Sequence, residues 1–418
     1  MKIIHPSQLN GRLKIQPSKS VCHRALICAA LSGGTSRIRN VALSEDISAT
    51  LGALVQMGLM DFRMEADTCI VSGGKADGKS GAAIDCGESG STLRFLLPLG
   101  LDGVARTFTG AARLMERPME PYEKLFAGMG YKKTAEGIAV SGRLAAGGYR
   151  LRGDVSSQFI SGLLFKLPLL GGNSVIEVTS PLESRQYIEI TRQVQSAFGI
   201  KSTWNGQSIM VAGNQAYTPQ DFTVEGDFSH AAFFAVAAAI GGDVTLTGLD
   251  PNSTQGDKAL LGILDVMGAD VSWAADGAVR IRAAGLKPVD IDVSEIPDTV
   301  PALCVLLCAA QGRSRLYNAA RLRYKESDRL SAMADELTKL GADITEYEDS
   351  LVINGSGGLL GGEVCSHNDH RVAMALTAAS VLCKEDIVLD GAMCVRKSAP
   401  AFYEEFASLG GNVERSQK

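Results

Sequence analysis

The feature that most limits how this chain can fold is an apolar residue followed by glycine at the end of a helix-like stretch, repeated six times. It reads Met57-Gly58, Met129-Gly130, Phe198-Gly199, Met267-Gly268, Leu340-Gly341 and Leu409-Gly410, at intervals of 69 to 73 residues. Glycine ends helices of many kinds. Six such endings at near-constant spacing, spread over 418 residues, make a true repeat, and a repeat decides architecture before any local reading does.

Earlier in each period lies another helical stretch, rich in Ala and Leu. The six begin near Ser20, Gly90-Ser91, Ser156-Ser157, Ser229, Pro297-Asp298 and Asp369-His370. Apolar helical runs follow, for example at residues 25–31, 159–170, 231–240 and 373–382, then strand-like runs at 174–178, 243–247 and 386–389. The unit is helix, strand, helix, hairpin, with one more strand leading to the next copy. This is a βαβαββ-type repeat in an α/β (α+β) chain.

Composition narrows the partners. A net charge of -5 argues against a nucleic-acid surface, which needs a basic excess. The longest apolar runs, 231–240 and 301–310, are about half of what a bilayer span needs. Met1-Lys2-Ile3-Ile4-His5-Pro6 has no apolar core of signal-peptide length. Nine cysteines, without a Cys-x-x-Cys pair, fit reduced thiols in the cytoplasm and no zinc site. Cys304 and Cys308 are expected on one buried helix face.

Polar and charged residues collect at equivalent repeat positions. First-helix starts carry Ser18-Lys19-Ser20 with Arg24, Glu88-Ser89-Gly90-Ser91-Thr92, Ser156-Ser157-Gln158, Pro297-Asp298 and Asn368-Asp369-His370-Arg371. Second-helix starts carry Arg117-Pro118, Ser184-Arg185-Gln186-Tyr187, Lys325-Glu326-Ser327-Asp328-Arg329 and Arg396-Lys397-Ser398. A helix N-terminus favours an anion by roughly 0.3–1 kcal/mol. Taken singly, Ser20, Ser91 and Ser157 read as N-caps, the 325–329 run as a solvated helix face, and His370 beside Asp369 as a structural pair. A basic residue at a helix start opposes the dipole, however. Lys19, Arg117, Lys325 and Lys397 together therefore read as a site for small polyanions.

Nine stretches, in order, carry a resemblance to the 3-phosphoshikimate 1-carboxyvinyltransferase (EPSP synthase) family along essentially the whole chain. They are residues 18–26, 87–94, 116–119, 155–159, 224–227, 296–298, 325–330 and 368–371, with Lys397 last. The resemblance implies a two-domain inside-out α/β barrel built from six repeats, three per domain, with helices packed inside sheets. One domain is residues 1–17 plus 226–418, the other 18–225, with the active site in the cleft between them. The implied reaction moves the enolpyruvyl group of phosphoenolpyruvate to the 5-hydroxyl of shikimate 3-phosphate and releases phosphate, in the shikimate pathway to chorismate and aromatic amino acids. The family is also the target of glyphosate.

The resemblance assigns Lys19, Ser20, Arg24, Ser156, Ser157, Gln158, Ser184, Tyr187, Asp298 and Lys325 to shikimate 3-phosphate. It assigns Lys19, Gly90, Arg117, Gln158, Arg329, Arg371 and Lys397 to phosphoenolpyruvate. Asp298 and Glu326 are similar to the family's proton-transfer carboxylates, with Lys19 able to assist either. No cofactor and no metal is expected, and the chain is expected to act as a monomer. Gln16-Pro17, Glu88 and Arg321 depart from the family's usual Pro-Gly, Asn and Asn, which bears on the phosphate pocket. A sister enzyme that acts on UDP-N-acetylglucosamine typically has Lys-Asn where this chain has Lys19-Ser20, and a loop cysteine that residues 111–117 lack. A non-catalytic anion binder would need no matched acid and base such as Asp298, Glu326 and Lys19.

Two phosphates and two carboxylates bring roughly five to six negative charges. The seven implied cations, less Asp298 and Glu326, come close to balancing them.

Overall fold

All six repeat glycines take a left-handed backbone, with φ from 71° at Gly58 to 102° at Gly268. Only glycine adopts this without strain, so each can turn the chain sharply out of a helix and into a strand. The computed structural model describes residues 1–75 and 82–415.

The repeats build six four-stranded sheets of one design. In one, Gly148–Leu151 runs parallel to Ser174–Val178, which pairs antiparallel with Ser208–Val211, and Ser202–Trp204 lies at the far edge. Tyr149, Leu151, Ile176, Ile209 and Val211 face inward and are buried, while their neighbours along the strands are wetter. One face of each sheet therefore needs an apolar cover.

Long helices supply it. Residues 21–30 of the helix Lys19–Leu31, 228–239 of Phe228–Gly241, and all of His370–Ala378 are buried on every side. A helix that is apolar all round has to be enclosed, so here the helices are the core and the sheets the shell. Each fully enclosed Leu or Phe contributes roughly 1.5–3 kcal/mol. Cys304 and Cys308 are both buried in the helix Val300–Ala309, as expected.

The chain divides into two compact units, Met1–Ser18 with Gly226–Lys418, and Lys19–Glu225. Within the continuous unit, the last strand, Asp221–Thr223, pairs parallel with Gly34–Arg39 and completes the first sheet. In the discontinuous unit, Lys2–His5 lies between Ile387–Asp390 and Asn412–Arg415, and Asn10–Lys14 runs parallel to Asp243–Thr247. Two sheets of that unit are therefore unfinished without the N-terminal residues. Pro17 bridges Gly226, so the chain leaves and re-enters this unit at adjacent points. No helix among the described residues is long and apolar enough to cross a membrane.

Two glycines outside the repeat motif should respond oppositely to Ala. A Cβ on Gly355 would lie 2.0 Å from the Ala310 carbonyl oxygen, whereas one on Gly262, in the helix Ala259–Met267, meets nothing within 4 Å. Gly355→Ala should destabilise by about 3 kcal/mol, and Gly262→Ala should stabilise by about 0.5–1 kcal/mol. Denaturant midpoints of the two variants check this.

Candidate active site

In the discontinuous unit, three helix starts and two short turns bring opposite charges together. Asp298 precedes the helix Val300–Ala309 and accepts from Arg329 Nη1 at 2.9 Å and Arg371 Nη2 at 3.1 Å, with Lys325 Nζ at 3.6 Å. Arg329, only 2% exposed, also donates through Nε to Asp369 Oδ2 at 2.8 Å. Asp369 is fully buried and caps the helix His370–Ala378 by accepting from the Arg371 N–H at 2.9 Å. Glu326 Oε2 and His370 Nδ1 share a hydrogen bond of 2.6 Å. Lys397 Nζ donates to the Asn368 carbonyl at 2.6 Å. His367 and Asn368 have φ of 50° and 54°, two successive left-handed residues that shape this turn.

The ionisation states follow from these contacts. Burial alone would loosen the proton on Arg329, but Asp369, Asp298 and Glu326 outweigh it and hold the guanidinium charged. Burial alone would raise the Asp369 carboxyl, and Arg329 instead carries it below its ordinary value. Lys325 falls to about 8, mainly through desolvation, with Asp298 opposing and Arg321, Arg329 and Arg371 adding.

In the continuous unit, Lys19 Nζ lies 2.6 Å from Asp46 Oδ2. Arg24 donates to Thr191 Oγ1 at 2.7 Å and to the carbonyls of Ser20 and Tyr187 at 2.7 and 3.0 Å. Ser184, buried at φ 53° before the helix Arg185–Ala197, holds a strained left-handed turn. Near the start of the helix Gly90–Leu96, two guanidinium groups crowd one another. A Cβ on Gly90 would sit 2.8 Å from Arg117 Nη1 and 3.7 Å from Arg94 Nη1. Arg94 donates to Gln158 Oε1 at 2.8 Å, and Gln158 Nε2 to Ser91 Oγ at 3.0 Å. Burial lowers Arg94 to about 9, and Arg117 adds to the shift. Arg117 Nε is buried without a hydrogen-bond partner among the described residues. Two cations side by side with an unsatisfied N–H make a place for an anion.

The sequence profile of EPSP synthase (3-phosphoshikimate 1-carboxyvinyltransferase) matches residues 3–406. The chain belongs to the EPSP synthase family. It is 46% identical over 417 residues to the 3-phosphoshikimate 1-carboxyvinyltransferase of Clostridium kluyveri, covering 98% of this chain and 97% of the relative. The enzyme of the same name from Clostridium perfringens strain 13 is 44% identical over 416 residues, covering 98% of each chain. Among solved structures, EPSP synthase from Acinetobacter baumannii superposes with a TM-score of 0.83 at 29% identity over all of both chains.

Several local expectations read from single residues and repeat positions change. The N-caps are Ser89 and Ser156, which accept from Thr92 and Gln158 N–H groups, so Ser91 and Ser157 lie inside the first turn. Ser20 likewise lies inside its helix, which begins at Lys19. Residues 325–329 are not a solvated helix face, because the helix Arg329–Lys339 starts late, capped by Asp328, and Arg329 is buried. Arg117 and Lys397 do not open helices either: Arg117 ends the helix Ala112–Glu116, and Lys397 ends the 3-10 turn Ala392–Lys397, where a cation suits the dipole. Short turns of this kind leave no periodic signal in sequence. His370 is joined to Glu326 across 44 residues of chain.

The charge sum read from sequence also left out Asp46 and Asp369, which pair with Lys19 and Arg329. A buried cation in the unliganded protein needs a counterion of its own. No metal motif is visible in the sequence, yet Glu326, Asp369 and His370 bring ligand-type atoms within 4.8 Å of one another. The Asp369 carboxylate already accepts from Arg329 and Ser327, and Glu326 and His370 share a hydrogen bond. Arg321 is buried and donates to the Ser294 carbonyl.

Proposed function

We infer that the chain transfers the enolpyruvyl group of phosphoenolpyruvate to the 5-hydroxyl of shikimate 3-phosphate, releasing phosphate. The observation that carries this is the family match over nearly the whole chain. The reaction is addition followed by elimination through a tetrahedral intermediate. A purified sample should release phosphate only when both substrates are present, without added metal. Release with either one omitted, or none from folded protein, would sink the reading.

The residues divide the work as follows. Asp298 takes the hydroxyl proton, and Glu326, oriented by His370, handles the proton at C3 of phosphoenolpyruvate, with Lys19 assisting. Arg329, Arg371 and Lys397, with Lys19, Gly90, Arg117 and Gln158, hold phosphoenolpyruvate. Ser20, Arg24, Ser156, Ser157, Gln158, Ser184, Tyr187 and Lys325, with Lys19 and Asp298, hold shikimate 3-phosphate. What supports the choice of base is that three cations surround Asp298 within 3.6 Å. Incoming phosphate and carboxylate groups compete for those cations, which makes Asp298 a better base only once the substrates are bound. A cytoplasmic monomer completes this reading.

Two expected results follow. In Gly90→Ala the new methyl displaces the Arg117 guanidinium, which it would otherwise approach to 2.8 Å. The KM for phosphoenolpyruvate should rise about tenfold and that for shikimate 3-phosphate little, a loss of about one hydrogen bond to a charged group. Lys325, lowered to about 8, needs a proton to hold an anion above that pH. The Kd for shikimate 3-phosphate should therefore rise up to about tenfold per pH unit above 8. Titration calorimetry would show this, and Lys325→Arg should flatten the curve.

A further inference from the structure

One buried carboxyl in the discontinuous unit has no part in the roles above. Asp257 lies just before the helix Ala259–Met267, 3% exposed, and its Oδ2 accepts from the Ser229 hydroxyl. Its Oδ1 has no hydrogen-bond partner among the described residues. The helix start that Ser229 occupies is capped by Asp227, which takes the His230 N–H, so that turn gives Asp257 only the hydroxyl. The charges that act on it through space are those of Asp298 before one helix, Arg371 on a second and Asp227 at the cap of a third. Arg371 favours the anion; the two carboxylates and burial oppose it. A carboxyl so placed keeps its proton unless something stabilises the charge. A proton on the orphan oxygen leaves the other free to accept from Ser229.

We propose that Asp257 is a positioning residue for the transfer: neutral, it leaves the Arg371 guanidinium to Asp298 and to phosphoenolpyruvate; ionised, it competes for that guanidinium. This rests on the roles given above to Asp298 and Arg371. Burial first, then Asp298, raise Asp257 to about 7, against Arg371 and the Ser229 hydrogen bond. The change of state therefore falls near neutral pH.

The experiment is a pH series from 6 to 9 on the whole enzyme, with phosphate release as the readout. Wild-type KM for phosphoenolpyruvate should climb above about pH 7, reaching roughly tenfold by pH 8 to 9 as one ionisation proceeds. In Asp257→Asn, a neutral isostere, KM should stay flat, with kcat at pH 6 within about threefold of wild type. Ser229→Ala removes the donor that favours the anion, so the climb should persist but begin at higher pH. Melting temperature gives a readout independent of activity. The folded value lies above the unfolded one near 3.8, so wild type loses stability as pH rises from about 4 to about 7, and the Asn variant does not. The variant should melt higher than wild type at pH 8 and alike at pH 4.

A KM that climbs in Asp257→Asn as in wild type, a variant that fails to fold, or a melting difference that ignores pH would overturn the proposal. If instead Asp298→Asn kept full activity, the assignment of the base would fall, and the melting series would still decide the state of Asp257.

Discussion

Asp298→Asn should lower kcat by about a thousandfold, the middle of the range for removing a general base. Asn keeps the shape of the side chain and a carbonyl oxygen for Arg329 Nη1, now 2.9 Å from Asp298 Oδ1, but it accepts no proton. It also releases Arg371 and Lys325 from a carboxylate that holds them at 3.1 and 3.6 Å. Both substrates are polyanions, so their binding should hold steady or tighten while turnover collapses. That split between kcat and KM is the signature to look for in steady-state rates. A variant that keeps more than about a tenth of wild-type kcat places the base elsewhere.

Arg329→Ala should cost about 3–5 kcal/mol of stability, because it breaks a buried ion pair and leaves the partners behind. Asp369 is fully buried, Asp298 accepts from the same guanidinium, and Glu326 lies 4.0 Å from it. All three carboxyl groups lose their common cation at once. The loss depends on pH in a stated direction. Arg329 holds the Asp369 carboxyl below its ordinary 3.8, so the stability it supplies is present above that value and disappears as pH falls through the folded value. The gap between variant and wild type should be widest near neutral pH and shrink below about pH 4. Arg329→Lys should recover only part of the stability, since an ammonium cannot reach Asp298 and Asp369 in the fork geometry of Arg. Urea unfolding at several pH values tests both statements. Equal destabilisation at all pH values would mean that lost packing dominates.

The architecture was legible because its determinants are local and repeated. Six left-handed glycines mark six helix ends, and strands at Ser174–Val178 and Asp243–Thr247 fall where alternation in the sequence places them. The seventeen N-terminal residues hold no local sign of which sheets they join; only the family resemblance placed them. Among the candidate site residues, those that belong to a motif could be named from the sequence, and their counterions could not. Asp46 looks like an ordinary first-turn acid in Glu45–Gln56, beside the capping Ser44, and Asp257 like a loop residue after Gly256. Their significance comes from Lys19, 27 positions away, and from Asp298 and Arg371, which no periodicity links to them. The same holds for the partners of Arg24, whose guanidinium reaches the Tyr187 carbonyl 163 residues away. Charge type can be read one residue at a time. Charge compensation is a property of the folded unit.

The placement of Lys2–His5 between Ile387–Asp390 and Asn412–Arg415 has a consequence for synthesis on the ribosome. That strand leaves the ribosome long before its neighbours do. At about 5–20 residues per second, it waits roughly 20 to 80 seconds for them to emerge. Lys19–Glu225, whose sheets need nothing from outside it, can close first. Throughout that interval Lys2–His5 stays unpaired in the nascent chain, and the emergence of Ile387–Asp390 and Asn412–Arg415 is the event that sequesters it.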